Sequence, residues 1–183
     1  MRLLGIDPGF RNLGWAVIED DGGPLRCVAA GMIRTKKTTH KIPLWQDNQE
    51  RCEIISRDVL KLLEEHDVNY LAVEAESWTR TSSDRVIGMA RGILYGLAAT
   101  NGYAVVQWHP KDVRAELVGK KNASKEALEE WLYENVPLSR HALEHIPKGQ
   151  RNHAADAACI AVTEIRRGQL ARIFRASEGR SVQ

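Results

Sequence analysis

The chain has 183 residues, 43% of them hydrophobic and 27% charged, and its 26 basic and 24 acidic residues give a formal net charge of +2. That length suits one domain of roughly 100–200 residues, and the composition excludes a disordered chain over most of its length. No apolar run approaches the ~20 residues that cross a bilayer, and a core of this size needs no metal or disulfide staple, so a metal site here reads as catalytic rather than structural.

Residues 2–7 read as a buried strand ending at Asp7, an acid that comes too early for a secretory leader. Residues 12–19 and 25–34 read as two more strands. Asp20-Asp21-Gly22-Gly23-Pro24 between them signals a hairpin. Residues 35–46 are polar, contain Pro43 and read as a loop. From about Asp47 to His66 the apolar period becomes helical, with Ile55, Val59, Leu62 and Leu63 on one face. Tyr70-Leu71-Ala72-Val73-Glu74 is a strand that again ends on an acid, and 76–83 is a polar loop containing Trp78. Ser82 or Ser83 can cap a helix to about Thr100, with Val86, Ala90, Ile93 and Leu97 as its stripe. Ala104–Trp108 is the fifth strand. Pro110 can open a short helix and Ser124 can cap another. Residues 137–151 read as irregular, Asn152 to about Arg167 as a last, alanine-rich helix, and 176–183 as a disordered tail beyond a single 1–175 domain. Three strands, then alternating helices and strands, give an α/β class: a five-stranded mixed sheet with helices on both faces.

Cys27, Cys52 and Cys159 are odd in number, far apart and set in apolar stretches. They read as reduced core thiols, which points to a cytoplasmic location. The near-neutral balance hides local bias. Arg34, Lys36, Lys37 and Lys41 form an acid-free run, and five bases face two acids between Trp108 and Lys125. The tail from Glu164 holds five arginines and two acids. These are either solvated surface patches or a dispersed phosphate-binding surface. Trp15, Trp108 and Trp131 fit core positions. Trp45 and Trp78 lie in polar loops with basic neighbours, where bases could stack.

Three acids stand out by position. Asp7 and Glu74 each end an apolar strand, and Asp156 follows His153 by three residues on the last helix, so both point the same way. Each feature alone has a plain structural role as a turn former, a cap or a surface pair. Together they describe carboxylates that repel one another unless a hard cation lies between them. Oxygen-rich ligation with one imidazole suits Mg²⁺ or Mn²⁺. Two such ions, roughly 3.5–4 Å apart, clamp the attacking and leaving oxygens of a phosphodiester.

Several segments then carry a resemblance: Gly5-Ile6-Asp7-Pro8-Gly9, Leu13-Gly14-Trp15-Ala16-Val17-Ile18, Gly31-Met32-Ile33-Arg34-Thr35, Leu71-Ala72-Val73-Glu74, Met89-Ala90-Arg91-Gly92 and His153-Ala154-Ala155-Asp156-Ala157. In order and spacing, over roughly residues 1–168, the chain resembles the RuvC family of Holliday junction resolvases. The resemblance implies a ribonuclease H-like fold, a homodimer, and Mg²⁺-dependent nicking of two opposed strands of a four-way DNA junction that leaves 5′-phosphate and 3′-hydroxyl ends. It places the metal ligands at Asp7, Glu74, His153 and Asp156, and two phosphate-holding lysines at Lys111 and Lys125. Trp78 is the nearest counterpart of the family's aromatic wedge, and Glu76 is either an extra ligand or a loop charge. Arg80, Arg85, Lys120 and Lys121 would add salt-sensitive DNA affinity, although lysines there also serve solubility. Branch-migration machinery is a further partner. Two other readings stay open at this stage: a nuclease for flaps, forks or other branched DNA, and a DNA-junction-binding protein without catalysis.

Overall fold

The hairpin signalled by the Asp20–Pro24 turn joins β2 (Asn12–Glu19) to β3 (Arg26–Arg34), and β2 also pairs antiparallel with β1 (Arg2–Asp7). Two crossovers then add parallel strands. Helix α1 (Leu44–Glu65) leads to β4 (Tyr70–Glu74), which lies parallel beside β1, and α2 (Ser82–Asn101) leads to β5 (Ala104–Trp108), parallel to β4. The strand order is β3-β2-β1-β4-β5. After β5 come α3 (Pro110–Val118), α4 (Lys125–Asn135), α5 (Ser139–Glu144), α6 (Lys148–Arg167) and α7 (Gln169–Glu178). This computed structural model describes residues 1–37, 41–75 and 82–178, except for the side chains of 82–84 and 175–178. Trp78, Arg80 and Glu76 therefore lie outside the described residues, as do the side chains of the expected caps Ser82 and Ser83.

Side chains alternate across a sheet, and the alternation sorts the core into two layers. Leu4, Ile6, Leu13, Val17, Leu71 and Val73 face α1 and α2, packing on Ile55, Val59, Leu63, Ala90 and Leu94. Leu3, Ala16, Ile18, Tyr70 and Ala72 face the other way, onto the layer built from α3 to α7. Helices thus cover both faces. By the same parity Asp7 shares the side of Leu3 and Gly5, and Glu74 shares the side of Tyr70 and Ala72, so both acids project toward the α6 face.

Helix α6 crosses that face at unusually close range. A Cβ added at Gly5 would sit 2.0 Å from the Ala157 carbonyl oxygen, and one at Gly14 would sit 2.3 Å from the His153 carbonyl oxygen. Ala154, Ala157, Ala158 and Ala161 on α6 are fully buried there. Glycine on the strands and alanine on the helix let backbone pack on backbone, which fixes the height of α6 over β1 and β2.

Four expectations need correction. The 137–151 stretch is not irregular: it contains α5 and the first turn of α6, which starts at Lys148 behind Pro147. Asp156 therefore sits in the third turn of α6, one turn deeper than a start at Asn152 implies. Helix α7 follows Gly168 and reaches Glu178, three residues into the stretch expected to be disordered, held by Ala171 in the core and by Phe174 stacked on Tyr70 at 5.0 Å. On α2 the buried line is Ala90, Leu94 and Ala98, while Val86, Ile93 and Leu97 are only half-buried at its flank. Caps formed where their chemistry predicts: Ser124 Oγ accepts the Ala127 amide at 3.1 Å, and Pro110 opens α3 behind His109. Trp15, Trp108 and Trp131 are half-buried against the two core layers, and Trp45 is exposed on the first turn of α1.

Candidate active site

Adjacent parallel strands end side by side. The register pairs Ile6 with Val73, so Asp7 and Glu74, one residue on, finish neighbouring strands at the same sheet edge. The chain leaves β1 through a tight turn in which the Gly9 amide donates to the Asp7 carbonyl at 3.0 Å. Over this edge α6 brings His153 and Asp156, one turn apart on one face. His153 Nδ1 lies 2.7 Å from Asp7 Oδ2, and Lys125 Nζ lies 3.1 Å from Asp156 Oδ2. Lys125 is the first residue of α4, set by the Ser124 cap.

The electrostatics follow from crowding three acids at a half-buried edge. Burial, then the charges of Asp7 and Asp156, push the Glu74 carboxyl up to about 7 against the pull of Arg91 and Lys125. Burial also raises the Asp156 carboxyl, partly offset by Lys125. The hydrogen bond with Asp7 raises the His153 imidazole by more than burial lowers it. Burial disfavours the Lys125 ammonium, but Asp156, then Asp7 and Glu74, outweigh it and raise its pKa overall. Burial and mutual repulsion thus outweigh the nearby cations at Glu74 and Asp156, while Asp7 and Asp156 are partly relieved by pairing. Among the described residues no three His, Cys, Asp or Glu side chains enclose an ion as they stand. Asp7 pairs with His153, Asp156 pairs with Lys125, and Glu74 faces the charge of both acids.

A cavity of about 150 Å³ opens beside the Asp156 side of the site, lined by Glu74, Asp156, Lys125 and Arg114 over Val113, Leu128 and Ile160. Arg114 is the α3 cation that reaches it. Its Nε is buried with no hydrogen-bond partner among the described residues, and its charge acts on Asp156. Lys111, one turn earlier, is exposed and lines no part of this cavity. On α3, Arg114 rather than Lys111 lines the cavity beside the acids. Lys111 and Arg114, three residues apart, project to a similar side of α3, and Arg114 is the one that lines the cavity. Arg91 was quoted only as part of a motif. It is buried on α2, and its Nε and Nη2 donate to the Glu74 carbonyl at 3.3 and 3.2 Å, which pins the end of β4. Arg85, Lys120 and Lys121 are exposed and line no part of this cavity.

The family model for crossover junction endodeoxyribonuclease RuvC matches residues 3–164. The chain belongs to the RuvC family. It is 31% identical to the RuvC of Afipia carboxidovorans over 176 residues, which span 96% of this chain and 94% of the relative. It is 32% identical to the RuvC of Rhodopseudomonas palustris over 164 residues, spanning 89% of this chain and 86% of the relative. Thermus thermophilus RuvC in complex with a Holliday junction substrate superposes with a TM-score of 0.73 at 27% identity, covering 90% of this chain and 92% of that one. The yeast mitochondrial Holliday junction resolvase shares the fold at 14% identity, with a TM-score of 0.66 over 98% of this chain and 86% of that one. The five-stranded mixed sheet is thus the ribonuclease H-like sheet of the RuvC resolvases.

Proposed function

We propose that this RuvC-family protein is a divalent-metal-dependent endodeoxyribonuclease that resolves four-way DNA junctions by paired nicks, leaving 5′-phosphate and 3′-hydroxyl ends. The observation that carries the reading is the convergence of Asp7, Glu74, His153 and Asp156, from two strands and one helix, beside a cleft walled by Lys125 and Arg114. The donor set fits Mg²⁺, with Mn²⁺ as a substitute: three carboxylates and one imidazole, with a Glu74 carboxyl whose raised pKa marks a missing counter-charge. Asp7, Glu74, His153 and Asp156 would hold two ions. Bound there, such ions lower the pKa of an attacking water and stabilise the charge that grows on the leaving 3′ oxygen.

The protein's own groups supply the rest. Asp7 accepts a hydrogen bond from Nδ1 of a neutral His153, which leaves the Nε2 lone pair free as a donor. Lys125 holds Asp156 in the present structure. A phosphate entering the cleft offers it a second anionic partner, so the same ammonium can turn from carboxylate to DNA backbone. Arg114 adds a fixed, permanently charged fork from the opposite wall. Arg91 keeps the end of β4 in register, so that Glu74 stays beside Asp7.

Two opposed strands need two such sites, and a homodimer supplies them. Gly88, Gly92 and Gly96 follow one another at four-residue spacing on α2, and a Cβ at any of them would meet nothing within 4 Å, which leaves an open strip where a second helix can approach closely. The free Cys27, Cys52 and Cys159 fit the reducing cytoplasm. No helix among the described residues is long and apolar enough to cross a membrane. The test is a cleavage assay on a mobile and an immobile four-way junction, a flap, a fork and a linear duplex, with and without Mg²⁺, mapping both strands. Symmetric paired nicks confined to four-way junctions with Mg²⁺ are expected. Single nicks in flaps at a higher rate would assign the site to another branched substrate. Tight junction binding with no cut in Mg²⁺ or Mn²⁺ would reject catalysis.

A further inference from the structure

The site is bordered by a second cavity that shares no lining residue with the Lys125 and Arg114 cleft. It measures about 280 Å³ and is lined by Gly9, Phe10, Arg11, Asn12, Arg51, Val86, Ile87 and His153. His153 makes it continuous with the acid set, through the imidazole that contacts Asp7. No carboxylate lines it, although carboxylates crowd the other side of the same imidazole. Its floor is apolar and its rim is cationic. That combination suits a base and sugar below and a phosphate above.

The rim is rigidly built. Thr35 Oγ1 donates to the Phe10 carbonyl at 2.6 Å, and the Thr35 amide donates to the Arg11 carbonyl at 3.0 Å, so the end of β3 holds the β1–β2 turn from both sides of Phe10. Arg51 on α1 stacks 4.2 Å over the Phe10 ring, donates through Nε to Thr35 Oγ1 at 2.9 Å, and lies 3.7 Å from the buried Asp47. Phe10 is only 3% exposed. Arg51 is thus committed to the protein. Arg11, the other cation of the rim, is exposed, and its guanidinium makes no hydrogen bond, ion pair or ring contact among the described residues. A turn pinned by three contacts carries one unpaired cation at the mouth of a pocket that opens onto the active site.

We infer that this pocket is a nucleotide subsite on the His153 side of the active site, in which Arg11 binds a DNA phosphate next to the one that is cut, while the Arg51–Thr35–Phe10 network positions the turn. The inference rests on the nuclease reading, and it adds a contact that neither the acid set nor the Lys125 cleft supplies. A cavity of about 280 Å³ matches one nucleotide of one strand.

The test crosses one protein variant with a scan of neutral linkages. Arg11→Gln removes the charge of an exposed, unpartnered side chain, and its thermal melt is expected to match the wild type. Binding of a fluorescent four-way junction without metal should weaken about tenfold, as for loss of one charge-assisted hydrogen bond, and the log–log salt slope should shrink by about 0.9. Junctions carrying one methylphosphonate at each position around the cut are then bound to both proteins. At one flanking position the neutral linkage should weaken the wild type about tenfold and leave Arg11→Gln unchanged. Purely additive losses at every position, with a wild type that still cuts junctions, would overturn the subsite and leave the nuclease reading standing. A wild type that neither binds nor cuts branched DNA would sink both.

Discussion

Asp7 Oδ2 and His153 Nδ1 lie 2.7 Å apart across 146 residues of sequence, and this contact ties the end of β1 to α6 at the point where the carboxylates meet. Its first consequence concerns the imidazole. The raised pKa of His153 comes chiefly from the Asp7 hydrogen bond, against burial that lowers it. In Asp7→Asn the amide keeps the size but not the charge. The His153 pKa should then fall below its wild-type value in an NMR titration of the ring C–H resonances, and cleavage of a four-way junction should fall by at least 10³-fold. An unchanged His153 titration would mean that another group controls the ring.

The second prediction concerns stability and pH without metal. Glu74 has its carboxyl at about 7 in the fold, against 4.5 when exposed. A carboxyl raised on folding binds its proton more tightly in the native state, so stability is fullest below pH 4.5 and is lost as pH rises through 7. Asp156 and His153 are raised as well, and they act in the same direction. At about 1.36 kcal/mol per pKa unit the Glu74 loss is on the order of 3 kcal/mol, or roughly 5–10 °C in Tm for a chain of this size. Tm in EDTA should therefore fall between pH 5.5 and pH 8. Glu74→Gln should flatten that fall, and Mg²⁺ should restore the wild type at pH 8 but not the variant. A wild-type Tm that rises over this interval would show that the acids are not crowded as described.

Much of this site was legible before any coordinates. Strand-ending acids mark themselves, because an apolar run of alternating layers must stop at the sheet edge, and both Asp7 and Glu74 do so there. The His153 and Asp156 spacing on a helix is likewise a local fact. What sequence could not give was reach. Lys111 and Arg114 lie one turn apart on a similar side of α3, and only the folded packing around the helix decides which of them reaches the cleft. Arg91 stood in the sequence only as part of the Met89–Gly92 motif, and its burial at 7% exposure, with the Glu74 carbonyl as a partner inside, appears only in the fold. Helix α7 was missed for a similar reason: its apolar residues Leu170, Ala171 and Phe174 are too few to signal a core, and they count only because Tyr70 waits beneath them.

Which of the two α3 cations holds a phosphate is itself testable. Arg114 shares the cavity with Glu74, Lys125 and Asp156, whereas Lys111 is exposed on the same helix. Arg114→Ala should lower single-turnover junction cleavage by about 10²-fold, within the range of removing one charged group at a reacting phosphate. Lys111→Ala should change it less than threefold and should mainly reduce the salt dependence of binding. The opposite ranking, measured at saturating protein, would return the phosphate contact to Lys111.

The final prediction separates the site from its support. Gly5 lies two residues before Asp7 and carries no chemistry, yet a methyl there would sit 2.0 Å from the Ala157 carbonyl oxygen and 3.0 Å from Ala161 Cβ. Neither neighbour can swing aside, because one is helix backbone and the other a short side chain held in the core. Gly5→Ala must therefore lift α6 from β1, and with it His153 and Asp156. Overpacking of this kind costs about 1–3 kcal/mol, which should appear as a lower urea midpoint with an unchanged m-value. Cleavage should fall further than stability explains, by 10-fold or more at a temperature where the variant is fully folded, because the helix carries two of the four proposed metal ligands while the strands carry the others. The Nδ1 contact reports the same displacement directly: the His153 pKa should drop in Gly5→Ala as it does in Asp7→Asn. If Gly5→Ala were destabilised yet cut junctions at the wild-type rate, the height of α6 over the sheet would not be what sets the active-site geometry.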